Sequence, residues 1–331
     1  MRLKVYSEAS TGDLPVTMLT TLISHPSCHD HQMPDGHPEC AARIDAISNQ
    51  LLASGIDALL YQRDAPEVTD EQLLRVHTVE HLQQVIHSSP KEGIHFLADD
   101  VYLSPQTLNA ARHAAGAGVL AVDMIMRSET DAVFCNVRPP GHHAERARAM
   151  GFCIFNNLAV AAAHALAAYG LQRIAIVDFD VHHGNGTQDI FFNDDRVLFC
   201  SSFQYPFYPH TEIDDVPAHI INTPLPATCR SQGFRDALRE QWFPALEKFK
   251  PQMIFISAGF DAYIDDDMSS ICLFEQDYAW VTTELRKFLD NKDIPLEERC
   301  LGIVSMLEGG YDLLGLGRCA LAHIKALGKL S

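Results

Sequence analysis

The sequence predicts an α/β domain of three layers, with helices on both faces of a central, mainly parallel sheet. Three observations predict it. Short runs rich in Val, Ile and Phe are apolar throughout instead of alternating, as strands covered on both faces are. Stretches of helical character separate them, so strand and helix alternate along the chain. Several runs also end in polar, ionisable or glycine-rich residues, and a parallel sheet gathers such ends at the edge where ligands bind in these folds.

In chain order, TMLTTLIS (17–24) is the first strand-like run, followed by helix-like stretches at 40–54 and 104–127. AVFCNV (132–137) leads into the cluster RPPGHHAE, and a helix is expected over 156–169. RIAIVDFD (173–180) runs into DFDVHHGNG, VLFCSSF (197–203) follows, and 230–248 reads as helix. QMIFISAGFD (252–261) ends in AGFDA, and 276–290 is again helical. CLGIVSMLEGG (300–310) ends in LEGGYD, before a last helix over 313–328.

A length of 331 residues allows one large domain or two modest ones. No Ser/Gly/Pro linker, low-complexity tract or internal repeat divides the chain, so a single domain over 1–331 is expected. Lys plus Arg total 25 against 43 Asp plus Glu, a formal charge of -18 that argues against nucleic acid and favours cationic ligands. Hydrophobic residues at 47% and charged residues at 21% are those of an ordinary soluble globular protein. The nine cysteines are scattered and never form a CxxC pair, which suggests free thiols in a reducing cytoplasm. The start, MRLKVYSEASTGD, has no apolar core of signal-peptide length, and the apolar stretch from Leu158 to Leu171 is too short for a membrane span and carries His164. No export and no membrane partner are expected. Histidine, at 17, is the unusual count.

Asp178, Asp180, His182 and His183 fall within six positions at a strand end. On an extended chain Asp178, Asp180 and His182 share a face. A carboxylate and an imidazole two residues apart can bind one Zn²⁺; the bland alternative is a polar strand end stabilising its own loop. Asp261 ends a second run and, alone, would pass for a cap or turn former. Two neighbouring strands that both end in acids need a cation between them, and Asp180, His182 and Asp261 would leave a coordination position open. His142 and His143 follow the stiff RPPG turn, where adjacent histidines are commonly surface residues, but an imidazole beside a metal can take and return a proton. Tyr311 follows two glycines that allow close approach; it is either a packed turn aromatic or a hydrogen-bond donor to a developing oxyanion.

Taken together, GHPE (36–39), RPPGHHAE (138–145), GFCIFNNLAVAA (151–162), VDFDVHHGNGTQDIF (177–191), SAGFDA (257–262) and LEGGYD (307–312) closely resemble the histone deacetylase superfamily, particularly its class II-like bacterial members. The resemblance covers almost the whole chain and implies the arginase/deacetylase fold. It implies that Asp180, His182 and Asp261 hold zinc, that His143 is the general base and later acid, oriented by Asn185, and that His142 is its electrostatic partner on buried Asp178. Tyr311 would polarise the scissile carbonyl. Gly151 would offer a carbonyl to the substrate tunnel, Phe152 one aromatic wall and Tyr208 the other. In YPFYPHTE, His210 and Glu212 replace the family's usual glycines at the tunnel rim. Potassium is implied at Asp178, Ser201 and the carbonyls of Asp180 and His182, and a second potassium at Phe191, Asp194 and Val197. Either Asp99 or Asp100 would grip the substrate backbone.

The expected activity is zinc-dependent removal of acetyl or other acyl groups from acetyl-lysine in peptides or proteins, with acetate as product. A set of Asp, His and Asp would also accept Fe²⁺ or Co²⁺. Met268 falls where relatives selective for acetylpolyamines carry Glu, which favours acyl-lysine, although Asp265, Asp266 and Asp267 beside it keep an acetylpolyamine amidohydrolase as the alternative. A non-catalytic acyl-lysine-binding module would be expected to have lost a ligand or the tyrosine, and a binuclear arginase-like hydrolase would need further Asp and His ligands. Relatives form dimers and tetramers, so a homo-oligomer is a possible assembly.

Overall fold

The structure is a computed structural model and describes residues 20–291, 294–295 and 298–331. The first three residues of the run 17–24 and the start, MRLKVYSEASTGD, lie outside the described residues. The strands are β1 (Thr21–Ser24), β2 (Tyr61–Asp64), β3 (His95–Ala98), β4 (Val101–Leu103), β5 (Ala132–Cys135), β6 (Ile174–Asp178), β7 (Val197–Gln204), β8 (Ile220–Leu225), β9 (Met253–Ala258) and β10 (Ile303–Leu307). The helices are α1 (Ser27–Asp30), α2 (Ala42–Ser54), α3 (Asp70–Leu73), α4 (Val79–Ser88), α5 (Thr107–Met126), α6 (Asn157–Tyr169), α7 (Asn185–Phe191), α8 (Ser231–Phe249), α9 (Glu275–Asp290) and α10 (Leu313–Gly328).

Eight strands form one sheet in the order β2-β1-β5-β10-β9-β6-β7-β8, and every neighbouring pair is parallel. All residues of β5, β6, β7, β9 and β10 are buried, as their mainly apolar, non-alternating runs require. Helices α2, α9 and α10 pack together in one layer, while α5 and α6 pack on each other and reach β9, β10 and β1. This is the three-layer, mainly parallel α/β architecture the sequence predicts.

Two sheet strands go beyond that prediction, β2 and β8, and they are the two edges. β2 is YQRD, exposed at every position, and β8 contains Pro224, which an edge strand tolerates. The antiparallel hairpin β3–β4 and the short helices α1, α3, α4 and α7 are likewise additional. All nine cysteines are free. Among the described residues, no helix is long and apolar enough to cross a membrane.

Because β5, β6, β9 and β10 are parallel neighbours, the segments that follow them meet at one edge. Backbone bonds lock these exits together: Glu308 N–H donates to Ala258 C=O at 3.0 Å, Phe260 N–H to Gly309 C=O at 3.0 Å, and Phe179 N–H to Ser257 C=O at 3.3 Å.

Candidate active site

At that edge Asp180, His182 and Asp261, all buried, bring one nitrogen and two carboxylate oxygens within 4.8 Å of one another. His182 Nδ1 lies 3.0 Å from Asp180 Oδ1 and 3.2 Å from Asp261 Oδ2. The other carboxylate oxygens are tied to backbone N–H groups: Asp261 Oδ1 accepts from Val181 at 2.9 Å and Asp180 Oδ2 from Gly309 at 2.8 Å. Asp261 Oδ2 is buried without a hydrogen-bond partner. Burial, with the Asp180 charge beside it, pushes the Asp261 carboxyl up to about 7. Burial opposes a charge on His182, yet the two carboxylates outweigh it and raise the imidazole to about 10. Two buried carboxylates facing one imidazole, with an oxygen left over, are short of positive charge, and this donor set fits a divalent cation such as zinc.

Two histidines stand beside the cluster with ring centroids 4.0 Å apart. His142 Nδ1 donates to Asp178 Oδ2 at 2.9 Å. Burial disfavours its charge, but Asp178 and Asp180 hold it well above the ordinary imidazole value. His143 Nδ1 donates to Asn185 Oδ1 at 2.7 Å, and the amide orientation follows from Asn185 Nδ2, which donates to Glu145 Oε1 at 2.9 Å. That bond keeps the His143 proton on Nδ1 and leaves Nε2 with a lone pair. Burial, with His142 and His182 alongside, holds His143 well below its usual value. Adjacent residues are thus driven apart, one toward imidazolium and one toward the neutral ring.

A cavity of ≈ 380 Å³ opens onto these groups, lined by Asp100, His143, Gly151, Phe152, His182, Phe207, Tyr208, Asp267, Met268 and Tyr311. Gly151 is forced to be glycine: its φ is +57°, and a Cβ there would stand 2.2 Å from the His143 ring. Phe152 also adopts a left-handed φ of 65°, a conformation that costs about 1–3 kcal/mol for a non-glycine residue and clusters at functional sites. The Tyr208 ring lies 5.2 Å from that of His143. Burial raises the Tyr311 phenol well above its ordinary value, so it remains a donor.

Of the two acidic candidates in the hairpin turn, Asp100 lines the cavity and Asp99 is exposed outside it. Asp100 accepts from Gly151 N–H at 3.0 Å and from the Tyr208 hydroxyl at 2.8 Å, bridging the two walls. His210 and Glu212 are exposed and do not line the cavity. In the acidic loop, Asp266 is buried and caps Tyr311 N–H at 2.6 Å and Asp312 N–H at 3.0 Å, which removes it from any role as a solvent-facing charge. Asp178 and Ser201 are register partners on β6 and β7. Phe191, Asp194 and Val197 meet in one turn, where Asp194 N–H donates to Phe191 C=O at 3.0 Å and Val197 N–H to Asp194 C=O at 3.1 Å. The Asp194 carboxylate is bound by Arg196.

Three features are not singled out by the sequence. Phe207 stacks on His182, centroids 5.5 Å apart at 17°, and shares the second wall with Tyr208; the paired aromatics of YPFY are the signal. Glu308 is fully buried, and its Oε2 accepts from Gly141 N–H at 2.6 Å and His142 N–H at 3.1 Å, fixing the turn that carries both histidines. Burial pushes this carboxyl up to about 7. Glu39, from the GHPE motif, is buried between Arg138 and Arg43. Arg43 in turn donates to the carbonyls of Glu308 and Gly310 and lies 4.9 Å from the Tyr311 ring centroid.

A family model described as "Histone deacetylase domain" matches residues 37–327. Histone deacetylase 5 of Arabidopsis thaliana is 36% identical over 320 residues, covering 90% of this chain and 47% of that protein. The probable deacetylase of Archaeoglobus fulgidus is 34% identical, covering 90% of this chain and 83% of its own. The histone deacetylase-like amidohydrolase of Pseudomonas aeruginosa is 35% identical over 88% of this chain and 77% of its own. The crystal structure of the HDA15 HD domain superposes with a TM-score of 0.87 at 32% identity, covering 95% of this chain and 91% of that one. The chain spans less than half the length of the Arabidopsis relative, 47%, and 21% of type-2 histone deacetylase 2 of Dictyostelium discoideum.

Proposed function

Since the chain belongs to the histone deacetylase family, we propose that it is a metal-dependent amidohydrolase, a single catalytic unit that removes acetyl groups from the side-chain amine of acetyl-lysine in peptides or proteins and releases acetate. The observation that carries this reading is the cavity in which His143, Phe152, Phe207, Tyr208, Met268 and Tyr311 surround the approach to His182. Its aromatic walls suit a four-carbon stem, and its polar end suits an uncharged amide.

Asp180, His182 and Asp261 would hold zinc, which when bound supplies a Lewis acid for the amide carbonyl and lowers the pKa of water. His143 Nε2, with its lone pair fixed by the Nδ1 bond to Asn185, takes the proton from the attacking water and delivers it to the departing amine nitrogen. His142, charged by Asp178, stabilises negative charge as it develops beside it. The Tyr311 hydroxyl donates to the carbonyl oxygen as that oxygen gains charge. Gly151 and Asp100 would receive the backbone or amide N–H groups of the substrate. Asp178 and Ser201, with the Asp180 and His182 carbonyls, would hold potassium, and Phe191, Asp194 and Val197 a second ion.

An acetylpolyamine is the alternative substrate, supported by the exposed carboxylate of Asp267 in the cavity lining beside Met268. Presence of both carboxylates, the histidine and Tyr311 weighs against a non-catalytic binding module. The test compares catalytic efficiency on an acetyl-lysine peptide and on acetylputrescine or acetylspermidine, with Tyr311→Phe as control. The peptide should be preferred, and Tyr311→Phe should lower kcat about 10²- to 10³-fold. Strong preference for the small amine would reverse the substrate order, and undiminished turnover by metal-loaded Tyr311→Phe would remove the assignment.

A further inference from the structure

The Phe152 wall continues beyond the cavity. The His37 ring centroid lies 4.7 Å from that of Phe152 at 76°, and Tyr102 lies 5.5 Å from His37 at 78°. Phe96 then lies 4.7 Å from Tyr102 at 40°. Phe96 and Tyr102 are direct partners across the β3–β4 hairpin, so both rings stand on one face of it. The end of the row is open: Phe96 is 69% exposed. A phenylalanine this exposed does little for the core, and a row continuous with a substrate cavity marks a binding surface.

The exposed charges on the segments that carry the row are mainly acidic, which favours a cationic occupant. Asp35 lies two residues before His37, Glu92 precedes the hairpin and Asp99 sits in its turn, all exposed, against Lys91 as the cation of the same segment. Burial holds His37 below its ordinary value, so it does not oppose a positive charge. Aromatic faces on acidic segments attract ammonium and guanidinium groups.

We propose that Phe96, Tyr102, His37 and Phe152 form an outer substrate subsite that holds a lysine or arginine side chain flanking the acyl-lysine. Each ring-to-ring step matches about one and a half residues of extended chain, at about 3.3–3.6 Å per residue, which puts the basic residue about two to four positions away. The inference rests on the acetyl-lysine reading and narrows it to basic peptides.

The test uses the whole protein, loaded with zinc, on acetyl-lysine peptides carrying Lys, norleucine or Glu at each of those positions, together with a single-residue acetyl-lysine amide. An exposed cation–π contact corresponds to about two- to five-fold in affinity. The Lys peptide should therefore show a KM about three- to five-fold below the norleucine peptide at equal kcat. Phe96→Ala should erase that difference without changing turnover of the single-residue substrate, and Phe96→Trp should retain it. Equal KM for Lys and norleucine, or Phe96→Ala lowering all substrates alike, overturns the subsite. So does a Phe96→Ala protein that changes its sedimentation, which would make the row a contact between two copies. If the wild type turns over no acetyl-lysine substrate, the deacetylase reading itself fails and takes the subsite with it; if it turns over the single-residue substrate without a basic preference, only the subsite fails.

Discussion

Replacing Gly309 by alanine should cripple the Asp180–His182–Asp261 cluster while leaving the fold in place. Gly309 follows β10 with a φ outside the left-handed region, so alanine meets no backbone strain there. Its Cβ, however, would stand 2.0 Å from Asp261 Oδ2, 2.5 Å from Asp180 Oδ2 and 2.7 Å from Asp261 Cγ. Ordinary contact begins at about 3.5 Å, so the Asp261 oxygen must retreat by about 1.5 Å and the Asp180 oxygen by about 1 Å. Metal–ligand distances tolerate about 0.2 Å. Disturbing one group that orients a ligand typically costs about 10- to 100-fold in metal affinity, and here two ligands move at once, so zinc should bind at least about 100-fold more weakly. Competition with a chromophoric chelator measures this, and far-ultraviolet circular dichroism of the metal-stripped protein reports the fold separately. A folded Gly309→Ala protein that binds zinc within about threefold of the parent would refute the reasoning, because the carboxylates could then not occupy the space from which the loss is derived.

Two further predictions concern the scaffold. Glu39→Gln leaves the buried guanidinium groups of Arg138 and Arg43 without their shared counter-ion, and removing one partner of a buried ion pair costs about 3–5 kcal/mol. Urea unfolding should show that loss, and a change below about 1 kcal/mol would reduce the motif to packing. His323 is fully buried as a neutral ring, with Nδ1 2.6 Å from the Thr282 hydroxyl and Nε2 2.8 Å from the Ser305 hydroxyl, and burial pushes it down to about 3. Its folded value lies below its unfolded one, so its contribution is complete above about pH 6.5 and falls as pH drops toward 3, by about 2 kcal/mol at pH 5. The slope of unfolding free energy between pH 6.5 and 5 should be shallower in His323→Gln than in the wild type; parallel slopes would contradict it.

Much of the sheet was legible because burial writes itself into composition. β5, β6, β7, β9 and β10 are covered on both faces, and each is visible as a mainly apolar run with no regular polar alternation. The edge strands carry no such mark. β2 is polar because solvent reaches every residue, and β8 reads INTPL after its first isoleucine because one side of it has no ladder to satisfy. α4 and α7 were hidden for another reason: at 10 and 7 residues they are ordered by what they pack on and not by their own propensity.

Candidate site residues were legible to the extent that chemistry sits within a few residues of a strand end. Asp178, Asp180 and His182 qualify, and so does Asp261. Glu308 does not, because its role depends on accepting the backbone N–H groups of Gly141 and His142, a segment 166 and 167 residues away in sequence. Nothing within LEGGYD distinguishes a glutamate that reaches that turn from one that faces solvent. Asp99 and Asp100 pose the problem at its smallest: which of them lines the cavity is the sense of one two-residue turn, held by the bonds that Asp100 accepts from Gly151 and Tyr208.

Three aspartates on adjacent strand ends therefore acquire three roles through their second oxygen. Each spends one oxygen on a nearby backbone N–H: Asp178 on Asp180 N–H, Asp180 on His182 N–H, and Asp261 on Val181 N–H. The remaining oxygen then takes whatever the fold delivers. For Asp178 that is the His142 ring, which becomes cationic. For Asp180 it is Gly309 N–H, which aims the carboxylate across the exits of β6 and β10. For Asp261 it is no hydrogen bond at all, and this unspent acceptor, buried 3.2 Å from His182 Nδ1, is what most directly calls for a metal ion.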